Sequence, residues 1–161
     1  MPLSTIDNTG LSQSQIITAV NMPTGSLVQI VQFSTTSTIT TTSTSLVATS
    51  FIGSITPQFS TSKILVMING GHSDYTAGNA SGSSTLYRQI ASGGYSSLGY
   101  SNIFDVLVSG TSYGWARSLS FLDSPATTST INYQPYISTN TNTYYYNISP
   151  VLMTMTLMEI R

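Results

Sequence analysis

His72 is the single histidine of the chain, and it stands beside Ser73 and Asp74. This triplet is the one place where a hydroxyl, a base and a carboxylate adjoin. Acyl transfer needs the base within hydrogen-bond reach of the nucleophile and a third group that orients the base. Three consecutive residues of one short loop do not converge in that way, so the triplet is expected to be a capped turn and the chain no enzyme. His72 and Asp74 could give a cation two ligands, but a bound ion asks for further carboxylates. Asp7, Asp105, Asp123 and Glu159 are far apart in sequence, and five acids in all leave little from which to build a glycoside hydrolase's carboxylate pair. No metal and no other cofactor is expected.

Aromatic side chains are the other residues with binding chemistry. Tyr75, Tyr95, Tyr100, Tyr113 and Trp115 fall in or beside stretches rich in Gly, Ser and Asn. Their first reading is as seals of subunit contacts and of the ends of the fold. Their second is as a contact for a host surface glycan or receptor, because tyrosine offers a flat face and a hydroxyl together. Tyr144, Tyr145 and Tyr146 cannot all face one way on a strand, so at least one is expected at an interface or exposed. Asn79-Ala80-Ser81 and Asn147-Ile148-Ser149 match the glycosylation pattern, which recurs by chance in a chain this rich in Asn, Ser and Thr.

The basic residues, Lys63, Arg88, Arg117 and Arg161, are scattered. No basic stripe exists to neutralise phosphates, and nucleic acid is not an expected partner. The longest aliphatic run, Ile64 to Ile68, is far too short to span a bilayer as a helix. MPLSTIDN lacks a basic region followed by an apolar run, so no signal peptide is expected at its start. Cysteine is absent, which removes disulfides and makes oligomerisation the expected source of rigidity.

The elements that must position these residues read as strands. Only 6% of the residues are charged while about a third are Ser or Thr, a composition that suits pleated surfaces and corners better than solvated helices. Leu119 and Phe121 alternate with Ser118 and Ser120. After Asp123-Ser124-Pro125, alternation resumes with Ile131, Tyr133, Pro135 and Ile137. This pattern predicts an antiparallel hairpin over Ser118 to Ile137. Further strands are expected over Leu27 to Phe33 and on through the Thr/Ser run 34–45. Others are expected around Phe51, Ile55 and Phe59, and over Lys63 to Asn69, Thr85 to Ile90, Ile103 to Val108 and Val151 to Ile160. Gly70 to Ser84 and Ala91 to Asn102 read as loops. Leu86 and Ile90 point inward and carry Arg88 on their face, at the sandwich end or paired.

Two strands are apolar on both faces. Lys63 to Asn69 sets Ile64, Val66 and Ile68 against Leu65 and Met67. The last strand sets Val151, Met153, Met155 and Leu157 against Leu152, Met158 and Ile160. A second apolar face must meet another sheet or another subunit, and Val151, Met153, Met155 and Leu157 are the candidate contact between copies. Residues 1–24 fit neither period. They read as an arm that buries Leu3, Ile6, Leu11 and Ile16 against a neighbour, or alternatively as a floppy tail or an edge strand. Residues 25–161 are then the β-sandwich.

FLDSPATTSTINYQ resembles a hairpin found in phage virion proteins, especially those of cyanobacterial phages. GSLVQIVQ, ITPQFSTSKILVMI and LMTMTLMEIR resemble the same group in the same order, and together they cover most of residues 25–161. The resemblance implies an antiparallel β-sandwich, a jelly roll like that of tumour necrosis factor, assembled as a homotrimer on the particle. Such modules occur as capsid decoration (cement) proteins and at the distal ends of tail fibres and tailspikes. The expected partners are itself, a major capsid protein or other virion protein reached through the arm, and a host glycan. Only about two dozen residues precede the sandwich, which favours a decoration protein on the capsid exterior over a fibre with a shaft. The tail is the alternative location.

Overall fold

The computed structural model describes residues 22–75, 81–106 and 115–161. Among them lie eleven strands: β1 (Leu27–Thr35), β2 (Ile39–Thr41), β3 (Val47–Ala48), β4 (Gly53–Ile55), β5 (Lys63–Tyr75), β6 (Ser81–Ile90), β7 (Ser96–Val106), β8 (Trp115–Asp123), β9 (Ile131–Thr139), β10 (Tyr144–Asn147) and β11 (Met153–Ile160). Several are halves of one longer strand. β1 and β2 follow each other along β11 and then β10, and those two in turn follow each other along β5. The first sheet is therefore four long strands in the order β1/β2, β11/β10, β5, β8. The second repeats the plan as β3/β4, β9, β6, β7. Every pairing is antiparallel, and the two sheets face each other across one core that contains Val66, Met155 and Leu157 from the first and Leu86, Tyr133 and Ile137 from the second. The chain is an all-β sandwich.

Alternation produces this arrangement. In β11 the odd-numbered residues from Met153 to Glu159 are buried and the even-numbered ones half-buried, the period expected of a strand with one face on the core. β9 carries a proline in its middle without loss of pairing. The Pro135 carbonyl accepts from the Thr49 amide, so the missing N–H points to the same side, where the neighbouring strand is already broken between β3 and β4. β5 bends at Gly70 and Gly71, with φ of +80° and +75°, and its register with β8 shifts between Gly70 and Ser73. A Cβ on Gly70 would lie 2.5 Å from the Leu152 carbonyl oxygen.

The expected hairpin over Ser118 to Ile137 is corrected. β8 pairs with β5 in the first sheet, whereas β9 pairs with β6, β3 and β4 in the second. The Asp123-Ser124-Pro125 break begins a crossing between sheets, not a return within one. The expected loops are corrected as well. β5 continues through His72 to Tyr75, β6 starts at Ser81, and β7 occupies most of the second Gly/Ser stretch. Around Phe51, Ile55 and Phe59 only Gly53–Ile55 is strand.

Candidate functional site

Three polar groups are buried in the sandwich, and one of them, Asp123, ties the two sheets together. Asp123, at the end of β8, accepts from two neighbouring residues of the second sheet. Arg88 Nη1 lies 2.8 and 2.9 Å from its two oxygens, and the Tyr133 hydroxyl donates to Oδ2 at 2.7 Å. Burial first, then the Asp123 charge and the hydrogen bond to it, hold the Tyr133 phenol far above its ordinary range. Glu159, fully buried, accepts from Gln29 Nε2 at 2.6 Å and from the Gln58 and Phe59 amides at 2.8 and 3.2 Å. Arg117 lies 3.9 Å over the Tyr146 ring and donates to the Tyr144 hydroxyl at 2.8 Å and to Ser73. These groups sit inside the sandwich and position strands.

The outward face of the first sheet is different. Register places Ile30 beside Met158, Met158 beside Leu65, and Leu65 beside Leu122. One apolar row thus crosses all four long strands. Ile30 is 51% and Leu122 49% exposed, with Met158 and Leu65 half-buried between them. The next row, Gln32–Thr156–Met67–Ser120, is mixed, and the one after, Ser34–Thr154–Asn69–Ser118, is polar. Among the described residues the charged side chains on this face are Lys63, at the start of β5, and Asp74, near its far end.

On the outward face of the second sheet the cross-strand pairs are Ser83–Ser138, Thr85–Tyr136, Tyr87–Gln134 and Gln89–Asn132. The Tyr87 and Tyr136 rings stack with centroids 3.9 Å apart, and Tyr95, on the turn between β6 and β7, lies 6.0 Å from Tyr136. Burial and the neighbouring Tyr136 push the Tyr95 phenol upward. Beside this group a cavity of about 190 Å³ is lined by Thr44, Ser83, Ser138 and Asn140, among others.

No family model matches the sequence. No curated protein matches it. Among solved structures the chain is similar to the "Structure of infectious bursal disease virus Gx strain", at 11% identity and a TM-score of 0.40, over 82% of this chain. It spans 40% of the length of that solved chain.

The residues singled out in the sequence scatter. Met153, Met155 and Leu157 are fully buried in the chain's own core, and Val151 precedes β11. The face of the last strand available to another copy is therefore the opposite one, with Met158 and Ile160. Either apolar face satisfied the pattern, and only the packing of β11 against the second sheet decides between them. Of the five aromatic candidates, Tyr95 joins the tyrosine group. Tyr75 ends β5, Tyr100 lies in β7 and Trp115 opens β8, while Tyr113 falls outside the described residues, as do Leu3, Ile6, Leu11 and Ile16. Ser73 is buried and His72 and Asp74, its neighbours on a strand, take the other face. Asn147 is buried, its side chain accepting from the His72 amide and donating to the Ser37 and Val151 carbonyls. Tyr87 and Tyr136 were missed, although the inward set Ile131, Tyr133, Pro135 and Ile137 already puts Tyr136 on the outer face.

Proposed function

We propose that this chain is a non-enzymatic structural protein of a phage virion, a capsid decoration protein whose copies associate through the outward face of the first sheet. The observation that carries the reading is the uncharged row Ile30–Met158–Leu65–Leu122. Burying a large aliphatic side chain contributes roughly 1.5–3 kcal/mol, so a row of four across a flat sheet is a strong driver of association. The strand order supports the setting. Eight long strands in two sheets, β1/β2 with β11/β10, β5 and β8 facing β3/β4 with β9, β6 and β7, are compatible with the jelly roll that the sequence resemblance implies, an architecture used in viral capsids and lectins. A threefold assembly and a phage particle are what the sequence resemblance implies, and residues 1–24 are the proposed capsid attachment.

The test is the particle. Heads that lack the protein should lose their contents at a lower temperature than complete heads, and re-addition should restore the difference. Equal heat release from both would overturn reinforcement. A second reading, a distal receptor-binding module of a tail fibre or tailspike, is favoured by the outward tyrosine group. Copy number separates the two, with a set of copies covering the shell expected for decoration and a few copies at the tail for the alternative.

A further inference from the structure

We propose that the outward face of the second sheet binds a neutral saccharide chain, with one sugar ring in the Thr44–Ser83–Ser138–Asn140 cavity and the next on the Tyr136–Tyr87–Tyr95 group. The inference does not depend on how the opposite sheet is covered. Ser83 and Ser138 are cross-strand partners whose hydroxyls lie 2.7 Å apart at the cavity. Tyr136 is two residues from Ser138 on the same face, a step of about 7 Å along a strand. Hydroxyls and aromatic rings therefore follow each other along one strip. Beyond the rings, Asn132 Nδ2 donates to Gln89 Oε1 at 2.8 Å and Ser54 donates to Asn132, which continues the strip in amides.

The chemistry of the strip selects the ligand class. None of Thr44, Ser83, Thr85, Tyr87, Tyr95, Gln89, Asn132, Tyr136, Ser138 or Asn140 is charged, so a phosphate, a sulfate or an acidic sugar would be desolvated without a cation to receive it. A purely apolar ligand would leave the remaining hydrogen-bonding capacity of the Ser83 and Ser138 hydroxyls, beyond the bond between them, without water or ligand to meet it. A neutral pyranose has both kinds of surface, hydroxyls on its rim and C–H groups on its faces, and tyrosine meets both. The cavity, at about 190 Å³, is smaller than the roughly 300–1,000 Å³ of pockets that enclose a drug-sized ligand. One ring sits in this half-open cleft and the remainder lies along the sheet, a geometry that gives weak single-site binding and gains from many displayed copies.

The test uses the full chain against immobilised neutral gluco-, galacto- and manno-oligosaccharides, with sialylated and sulfated oligosaccharides alongside. At least one neutral oligosaccharide should bind with a dissociation constant of about 1 mM per site. Tyr136→Ala and Ser138→Leu should each weaken it at least about tenfold, while Ser34→Ala, in the polar row of the other sheet and outside the Ile30–Met158–Leu65–Leu122 row, leaves it unchanged. Hydroxyl-radical footprinting of the unaltered protein, which needs no variant to fold, should show Tyr87, Tyr95 and Tyr136 protected by that sugar. No neutral binding up to about 10 mM, preference for the acidic set, or binding without protection of these tyrosines would each overturn the proposal. A single-copy protein that still binds the sugar would remove the assembly reading and leave this one standing.

Discussion

Asp123 holds more of the molecule together than its place at the end of β8 suggests. It receives Arg88 from β6 and Tyr133 from β9, and its Oδ1 also accepts from the following Ser124 amide at 2.8 Å. Removing the Tyr133 hydroxyl leaves a buried carboxylate short of one donor, so Tyr133→Phe should cost about 1–3 kcal/mol at neutral pH in a denaturant titration. The pH dependence has a definite sign. The folded phenol titrates above its ordinary value of 10.0, so its contribution is complete below that value and is lost as pH rises beyond it, because the unfolded chain releases the proton first. Tyr133→Phe should therefore flatten the alkaline fall in melting temperature, and an unchanged alkaline slope would contradict the assignment. Gly82 gives a second check. A Cβ there would meet the Tyr144 ring at 2.6 Å, so Gly82→Ala should destabilise by about 1–3 kcal/mol through overpacking, read as a lower denaturation midpoint.

At the scale of elements, β11 separates the two uses of an apolar side chain. Leu157 is fully buried between the sheets, and Leu157→Ala should cost about 2–5 kcal/mol of stability. Met158, its neighbour on the outward face, should tolerate serine with little change in folding and act on association instead. The same strand shows what the sequence made legible. Period two identified β11 and the first half of β5, and it placed Leu86, Tyr133 and Ile137 inward. It left open which of two apolar faces meets the core, since that is a property of the opposite sheet. The Ser118 to Ile137 stretch failed for a related reason. A turn signal between two alternating runs is the same whether the chain returns beside itself or crosses to the other sheet, and the deciding bonds, the ladders of β8 with β5 and of β9 with β6, are long-range. The second half of β5 and most of β7 read as loops because Gly and Ser are weak strand formers. Pairing on neighbouring strands overrides that preference, and at Gly70 and Gly71 the left-handed backbone is what lets β5 bend.

For the whole molecule, four-stranded sheets with 6% charged residues leave few devices to keep copies apart. Natural sheets guard against association with charged side chains, and the first sheet's outward face has only Lys63 and Asp74, at opposite ends of β5, among the described residues. The row Ile30–Met158–Leu65–Leu122 is the physical basis of the proposed assembly, and that assembly is the basis of the proposed structural role. Sedimentation equilibrium of the purified chain tests this most directly. The account predicts a mass three times the 17.2 kDa of one chain at micromolar concentration, and a single-chain mass with an unchanged circular dichroism spectrum for the Ile30→Ser, Leu122→Ser double variant. A folded single-chain species for the unaltered protein at that concentration would contradict it.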